Sequence, residues 1–336
     1  MTTLVGTHDK LKDHIAGLGH PESPSRLDAV MLGMRESTVF EQIKVFAPRA
    51  ILPSEFEGVH QAEYVNFVQR FSAHGGQIDA DTGVSSGSFD AAIIAAGSGL
   101  DAIDRLREGQ GEAAFLAVRP PGHHASFSQA MGFCLFNNVA IAANALAKAG
   151  EKVFIFDFDA HHGNGTQNLF YECPDVLYAS IHQRNLFPGT GYANEVGSGH
   201  GFGTTINIPI PQGSTISTYW QAIEQIVEPI LDEFKPAWVI ASAGFDAHKH
   251  DPLASLSLTS DDFAQLISWL FRTVPTGRRL AFLEGGYDLE ALRMCSAAVI
   301  AAIEGEHLKL EPPSSGPALV SVVSDIADIR SRSMER

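Results

Sequence analysis

Apolar residues along this chain gather in short runs separated by longer stretches of mixed character, regularly so from about residue 88 onward. The runs at 113–118 (Ala-Ala-Phe-Leu-Ala-Val), 153–158 (Val-Phe-Ile-Phe-Asp-Phe), 175–181, 237–243 (Ala-Trp-Val-Ile-Ala-Ser-Ala) and 279–283 are nearly all apolar. Short runs of this kind fit strands of a parallel sheet covered on both faces. The stretches 88–107, 137–149, 216–234, 260–274 and 289–304 have the length and amphipathic character of helices. Ser-Leu-Thr-Ser-Asp-Asp before Phe263 offers N-cap candidates for one of them. The alternation predicts an α/β sandwich with a mostly parallel sheet.

Composition adds exclusions. With 336 residues, 45% hydrophobic and 18% charged, the chain has ordinary globular usage, which argues against disordered, collagenous and coiled-coil classes. Length alone allows one domain or two. Lys and Arg number 23 against 39 Asp and Glu, a formal charge of −16, so direct nucleic-acid binding is disfavoured and a cationic ligand would be attracted. Three cysteines (Cys134, Cys173, Cys295) form no CxxC pair, which points to a reducing, cytoplasmic compartment. The N-terminus lacks a basic and then apolar leader, and no uncharged apolar run reaches about 18 residues, so neither a signal peptide nor a membrane span is expected.

The residues suited to chemistry cluster directly after the apolar runs. Arg119-Pro120-Pro121-Gly122-His123-His124 comes after the first, and Asp157-Phe158-Asp159-Ala160-His161-His162-Gly163-Asn164 closes the second. Gly244-Phe245-Asp246-Ala247-His248 comes after the fourth, and Glu284-Gly285-Gly286-Tyr287 after the fifth. Ligands of open α/β sheets bind outside the carboxyl ends of the strands, so these loops converge. Residues two apart at a strand end point the same way, which lets Asp157, Asp159 and His161 share a direction. Carboxylate plus imidazole suits Zn²⁺ or Fe²⁺, with Asp246 as a third ligand and a position left open for water. His123 and His124 after a rigid Pro-Pro turn are acid/base candidates, oriented by Asp157 and Asn164. Tyr287 is a candidate donor to a developing oxyanion.

HPES (20–23), RPPGHHA (119–125), GFCLFNN (132–138), DFDAHHGNGT (157–166), FPGTG (187–191), SAGFDAH (242–248) and LEGGYD (283–288) occur in that order. Together they resemble the metal-dependent deacetylase superfamily of histone deacetylases, acetylpolyamine amidohydrolases and acetoin-utilisation proteins, in its bacterial, class II-like branch. The likeness spans about residues 10–305. It implies the three-layer α/β/α arginase/deacetylase fold with an eight-stranded parallel sheet. It also implies a zinc-dependent enzyme that hydrolyses the acyl amide of acetyl-lysine or a related N-acetylated amine. By the resemblance Asp159, His161 and Asp246 match zinc ligands, His123 and His124 the paired acid/base histidines, and Tyr287 the transition-state tyrosine. Phe133 and Phe187, with Gly132, match the substrate tunnel. A structural potassium ion would use Asp157, Asp159, His161, Ser180 and Ile181, and a second the carbonyls of Phe170, Cys173 and Val176. Asn164 stands where class I has aspartate, which leaves the division of labour between the two histidines open. With motifs from His20 to Tyr287 at one site, residues 1–305 read as a single catalytic domain. Residues 306–336, with Pro312-Pro313-Ser314-Ser315-Gly316, read as a C-terminal appendage.

Three alternatives stand beside this reading. Acetylpolyamine-preferring relatives carry a gatekeeper glutamate or a long insertion, whereas Leu253 occupies the gatekeeper position here and residues 72–112 hold no insertion. A binuclear ureohydrolase needs further carboxylates, but His162-Gly163 and Ala247-His248 stand where they would be. A non-catalytic acyl-lysine binder would have lost a ligand or the tyrosine, and neither is missing. Oligomerisation is left open.

Overall fold

The computed structural model describes residues 2–335. Among these residues ten strands occur: β1 Thr3–Gly6, β2 Lys44–Phe46, β3 Gly76–Gln77, β4 Gly83–Val84, β5 Ala113–Leu116, β6 Val153–Asp157, β7 Val176–Gln183, β8 Thr205–Ile210, β9 Trp238–Ala243 and β10 Arg279–Leu283. The helices are α1 Ser25–Glu36, α2 Ala62–His74, α3 Ser88–Arg107, α4 Asn138–Lys148, α5 Asn164–Phe170, α6 Ile216–Ala222, α7 Glu228–Phe234, α8 Ser260–Arg272, α9 Leu289–Ile303 and α10 Val320–Met334. Eight strands form one sheet in the order β2-β1-β5-β10-β9-β6-β7-β8, every pair parallel, while β3 and β4 make a separate hairpin. Helices α3 and α4 pack together and against β5 and β6; α8 packs with α9, which packs with α1, and α8 also meets β9. This is the three-layer α/β/α arrangement.

All five apolar runs are strands, and their burial explains why they read so clearly. Every residue of β6, β7 and β9 is buried. Each large apolar side chain so covered stabilises the fold by about 1.5–3 kcal/mol relative to exposure. Three sheet strands were not among the predicted ones. Two of the three residues of edge strand β2 are exposed, so it carries no apolar run. Strand β8, Thr-Ile-Asn-Ile-Pro-Ile, holds Pro209, which a ladder tolerates at an edge. Strand β1 spans four residues near the start of the chain, outside the regular alternation.

The predicted helix at 216–234 is helical but not uniform: a π turn at Ile223–Val227 separates α6 from α7. Pro229 lacks the N–H that an unbroken ladder needs there. Helices α1 and α2 were not predicted. The N-cap of α8 is Thr259, whose backbone N–H donates to Asp262 Oδ2 at 2.8 Å. In the tail, Val323, Ile326 and Arg330 of α10 are buried, and the helix packs on α6 and β8. No helix among the described residues is long and apolar enough to cross a membrane.

Candidate active site

Strands β5, β10, β9 and β6 are consecutive in the middle of the sheet, so the four polar loops predicted to converge leave it side by side. At the end of β10, Glu284 is buried and its Oε2 accepts the backbone N–H groups of Gly122 (2.6 Å) and His123 (3.1 Å). Burial pushes this carboxyl up to about 7 against the pull of His123. The loop bearing the histidine pair is therefore tied to the neighbouring strand end.

The two imidazoles lie with centroids 4.0 Å apart and take different partners. His123 Nδ1 is 3.1 Å from Asp157 Oδ2, and that oxygen also accepts the Tyr178 hydroxyl at 3.1 Å. His124 Nδ1 is 2.8 Å from Asn164 Oδ1 at the start of α5. Burial disfavours the charged form of both. At His123 the Asp159 and Asp157 carboxylates outweigh it and raise the pKa to about 10. At His124 burial is reinforced by His123 and His161, and its pKa is held well below the usual imidazole value.

Beyond the pair, ligand atoms of Asp159, His161 and Asp246 lie within 4.8 Å of one another. His161 Nδ1 is 2.8 Å from Asp246 Oδ2 and 3.3 Å from Asp159 Oδ1. Backbone donors hold the carboxylates: Gly285 N–H to Asp159 Oδ2 (2.8 Å) and Ala160 N–H to Asp246 Oδ1 (2.7 Å). Burial opposes ionisation at Asp159, but His123 and His161 keep its carboxyl well below the usual range. Burial and the neighbouring Asp159 push Asp246 up to about 7, even beside His161. Two buried carboxylates sharing one space are an arrangement a divalent cation relieves. The backbone leaves room for them only with glycine: a Cβ on Gly285 would lie 2.6 Å from Asp159 Oδ2 and closer still to Asp246 Oδ2. The donor chemistry and the glycine cradle fit a divalent metal.

The approach to this cluster is aromatic. The Phe187 ring, 40% exposed, meets His124 edge-on at 5.1 Å, and Phe133 meets Tyr287 edge-on at 5.6 Å. Gly132 and Phe133 both have positive φ (54° and 68°). A Cβ on Gly132 would lie 2.5 Å from His124 Cδ2 and 2.8 Å from Phe187 Cε1. Leu253 is half-buried, with its N–H on Asp251 Oδ1 at 2.9 Å. Burial raises the Tyr287 phenol well above its usual value, so its hydroxyl is a proton donor.

Asp157 and Ser180 are register partners on adjacent strands, with Ile181 next along β7. Phe170, Cys173 and Val176 lie along the passage from α5 to β7, where the Cys173 carbonyl accepts the Thr204 hydroxyl at 3.2 Å.

Several residues that organise the site were not among the predicted site residues. Arg26 donates to the carbonyls of Gly286 (2.7 Å) and Glu284, and its guanidinium lies 4.9 Å from the Tyr287 ring centroid. Glu22 binds Arg119 through both oxygens and Arg26 through one. Asp251 accepts the Tyr287 N–H. Glu22 sits in the HPES motif and Glu284 beside the Gly-Gly-Tyr turn, so a charged residue inside a motif or at an apolar strand's end is the one hint the sequence holds.

Residues 20–303 match the histone deacetylase domain family. A protein named probable deacetylase from Archaeoglobus fulgidus is 40% identical over 98% of this chain and 97% of its own. A histone deacetylase-like amidohydrolase from Pseudomonas aeruginosa is 34% identical over 89% of this chain and 80% of its own. The crystal structure of the HDA15 HD domain superposes with a TM-score of 0.90 at 37% identity, covering 98% of this chain and 94% of that one.

Proposed function

The chain belongs to the histone deacetylase family and is a hydrolytic enzyme of it; from that premise we propose that it is a zinc-dependent deacylase acting on acetyl-lysine or a related N-acetylated amine. The observation that carries this reading is the triad Asp159, His161 and Asp246, with ligand atoms within 4.8 Å, next to two imidazoles held by different partners. Those three residues would hold the metal. When bound it supplies Lewis acidity, polarising the acyl carbonyl and acidifying the attacking water.

The chain's own residues do the rest. Asn164 Oδ1 only accepts hydrogen bonds, so the His124 Nδ1 that meets it carries the proton and Nε2 is left as acceptor. With its pKa depressed by burial, neutral His124 serves as the general base. His123, whose Nδ1 meets the Asp157 carboxylate at 3.1 Å, serves as the acid that protonates the leaving amine. The Tyr287 hydroxyl donates to the tetrahedral oxyanion, and one such donor contributes about 3–4 kcal/mol. Gly132, Phe133 and Phe187 would line the passage for a methylene stem, with Leu253 on a neighbouring loop. An apolar Leu253 favours acyl-lysine over a polyamine. We assign a structural potassium ion to Asp157, Asp159, His161, Ser180 and Ile181, supported by the Asp157–Ser180 register. A second is assigned to the carbonyls of Phe170, Cys173 and Val176. Three free thiols suit the cytoplasm.

The test is a turnover comparison of acetyl-lysine peptides, longer acyl-lysine peptides and N-acetylated polyamines, with metal analysis of the same preparation. We expect one zinc per chain and fastest turnover of an acyl-lysine peptide. Zinc binding without turnover of any amide would make the protein a binder instead. Two transition metals per chain would point to ureohydrolase-type chemistry.

A further inference from the structure

At the opposite end of the sheet from these loops lies a cavity of about 580 Å³. Leu177 near the start of β7 and Thr204 just before β8 place it at the amino ends of the strands. Its walls include Leu177, Phe202, Ile226, Ile230, Phe234 and Met334, and α10 closes one side. Its volume falls among those of small-molecule sites, which run to roughly 300–1,000 Å³.

The lining is mixed, and one of its charged groups is buried. Arg330 is 7% exposed and donates to the carbonyls of Thr205 and of Gly203 (2.7 Å for the latter). Among the described residues no carboxylate lies within ion-pair distance of it. A guanidinium has five N–H donors, and buried arginines are seldom left without an anionic partner. Burial accordingly holds its pKa down, to about 10. Docking α10 against β8 uses the two carbonyl bonds but leaves the charge uncompensated. Lys152 lines the same cavity, its Nζ 5.0 Å from the Phe234 ring, and among the described residues Glu233 is the one acidic residue in the lining. Two cations against one carboxylate leave a single positive charge to balance.

We propose that this cavity binds an amphipathic monoanion, a free carboxylate with an apolar tail, whose carboxylate meets Arg330 and whose tail lies along Leu177, Ile226, Ile230 and Phe234. Acetate is too small to use those walls, and a dianion would exceed the available charge. The site is independent of the amide-hydrolysing one and is read out by binding alone.

The experiment is calorimetric titration of the full chain with decanoate below its micelle concentration, and with decanol and acetate. We expect saturable decanoate binding at one site per chain, decanol at least tenfold weaker, and no binding of acetate. Arg330→Gln keeps donors for the Gly203 and Thr205 carbonyls and removes the charge, so decanoate should weaken at least tenfold while decanol is unchanged. Ile230→Trp fills the cavity without touching Arg330. It should abolish decanoate binding while circular dichroism and the unliganded melting temperature are retained, which keeps the test decisive if Arg330→Gln loosens α10. Equal affinity for decanoate and decanol, no decanoate binding, or decanoate binding that survives Ile230→Trp would each overturn the proposal.

Discussion

Asp251 Oδ2 accepts the backbone N–H of Tyr287 at 2.7 Å, while its Oδ1 accepts the N–H of Leu253 at 2.9 Å. One carboxylate thus couples the Leu253 turn to the loop that aims the phenol. Replacing Asp251 by alanine leaves a largely buried N–H without its partner, a cost of about 1–3 kcal/mol. Because the lost restraint falls on the Tyr287 loop, we expect Asp251→Ala to lower kcat about tenfold, the equivalent of roughly 1.4 kcal/mol. Zinc content, measured by elemental analysis, should not change. Normal kcat would show that Arg26 alone suffices to hold that loop.

Tyr287→Phe removes only the hydroxyl. Its ring contact with Phe133 and the guanidinium over its face are retained, so fold and metal content should match the parent. Loss of one oxyanion donor costs about 10²–10³ in kcat. Steady-state kinetics on an acetyl-lysine peptide measure it. A loss below tenfold would remove Tyr287 from the reaction.

The residues that were legible in the sequence are those whose chemistry is unusual for their setting. Aspartates and histidines directly after fully buried apolar strands stand out: Asp159, His161 and Asp246 meet where the order of strands brings them, and Asp157 faces His123 beside them. The central strands were legible for the same reason, being covered on both faces. Edge strands β2 and β8 were not, because half-exposed or proline-bearing strands lack a continuous apolar run. Glu22 and Arg26 escaped for a different reason. Their roles arise from contacts across 97 and 260 residues, to Arg119 and Gly286, which no local pattern encodes.

Gly132 should not tolerate a side chain. Its φ of 54° is left-handed, which costs a non-glycine residue about 1–2 kcal/mol. The larger effect is local, since the added carbon would crowd His124 and Phe187. We expect Gly132→Ala to raise KM and lower kcat together on acyl-lysine peptides, with a melting temperature only a few degrees lower. Unaltered kinetics would place the stem elsewhere.

The opposite pKa directions of the histidines predict a bell-shaped pH profile. If neutral His124 is the base, activity falls only as pH drops below its depressed pKa. If charged His123 is the acid, activity falls as pH rises through its elevated pKa, which burial opposes and Asp159 and Asp157 support. Asp157→Asn removes one of those carboxylates, so the alkaline limb should move to lower pH while the acid limb stays put. Profiles of kcat for both proteins test this, and an alkaline limb that does not move would reassign the acid.

Glu22 is a carboxylate set in a buried group of cations, and its loss should be felt in stability before activity. Its side chain is fully buried, with Arg119 Nε at 2.7 Å, Arg26 Nη1 at 3.2 Å and His14 Nε2 at 3.2 Å. Burial alone would raise its pKa, but Arg119 and His14 carry it well below the usual carboxylate value. Glu22→Gln keeps the volume and leaves two guanidinium groups facing a neutral amide. Breaking a buried pair in this way costs about 3–5 kcal/mol. Urea unfolding at neutral pH should report a loss of that size. The pH dependence has a defined sign: a carboxyl depressed on folding stabilises the fold fully above its unfolded pKa, and that stability is lost as pH falls through the folded value. The parent should therefore lose stability more steeply than Glu22→Gln as pH falls below the ordinary glutamate pKa. Parallel acid limbs in the two proteins would mean that Glu22 does not carry the charge the geometry gives it.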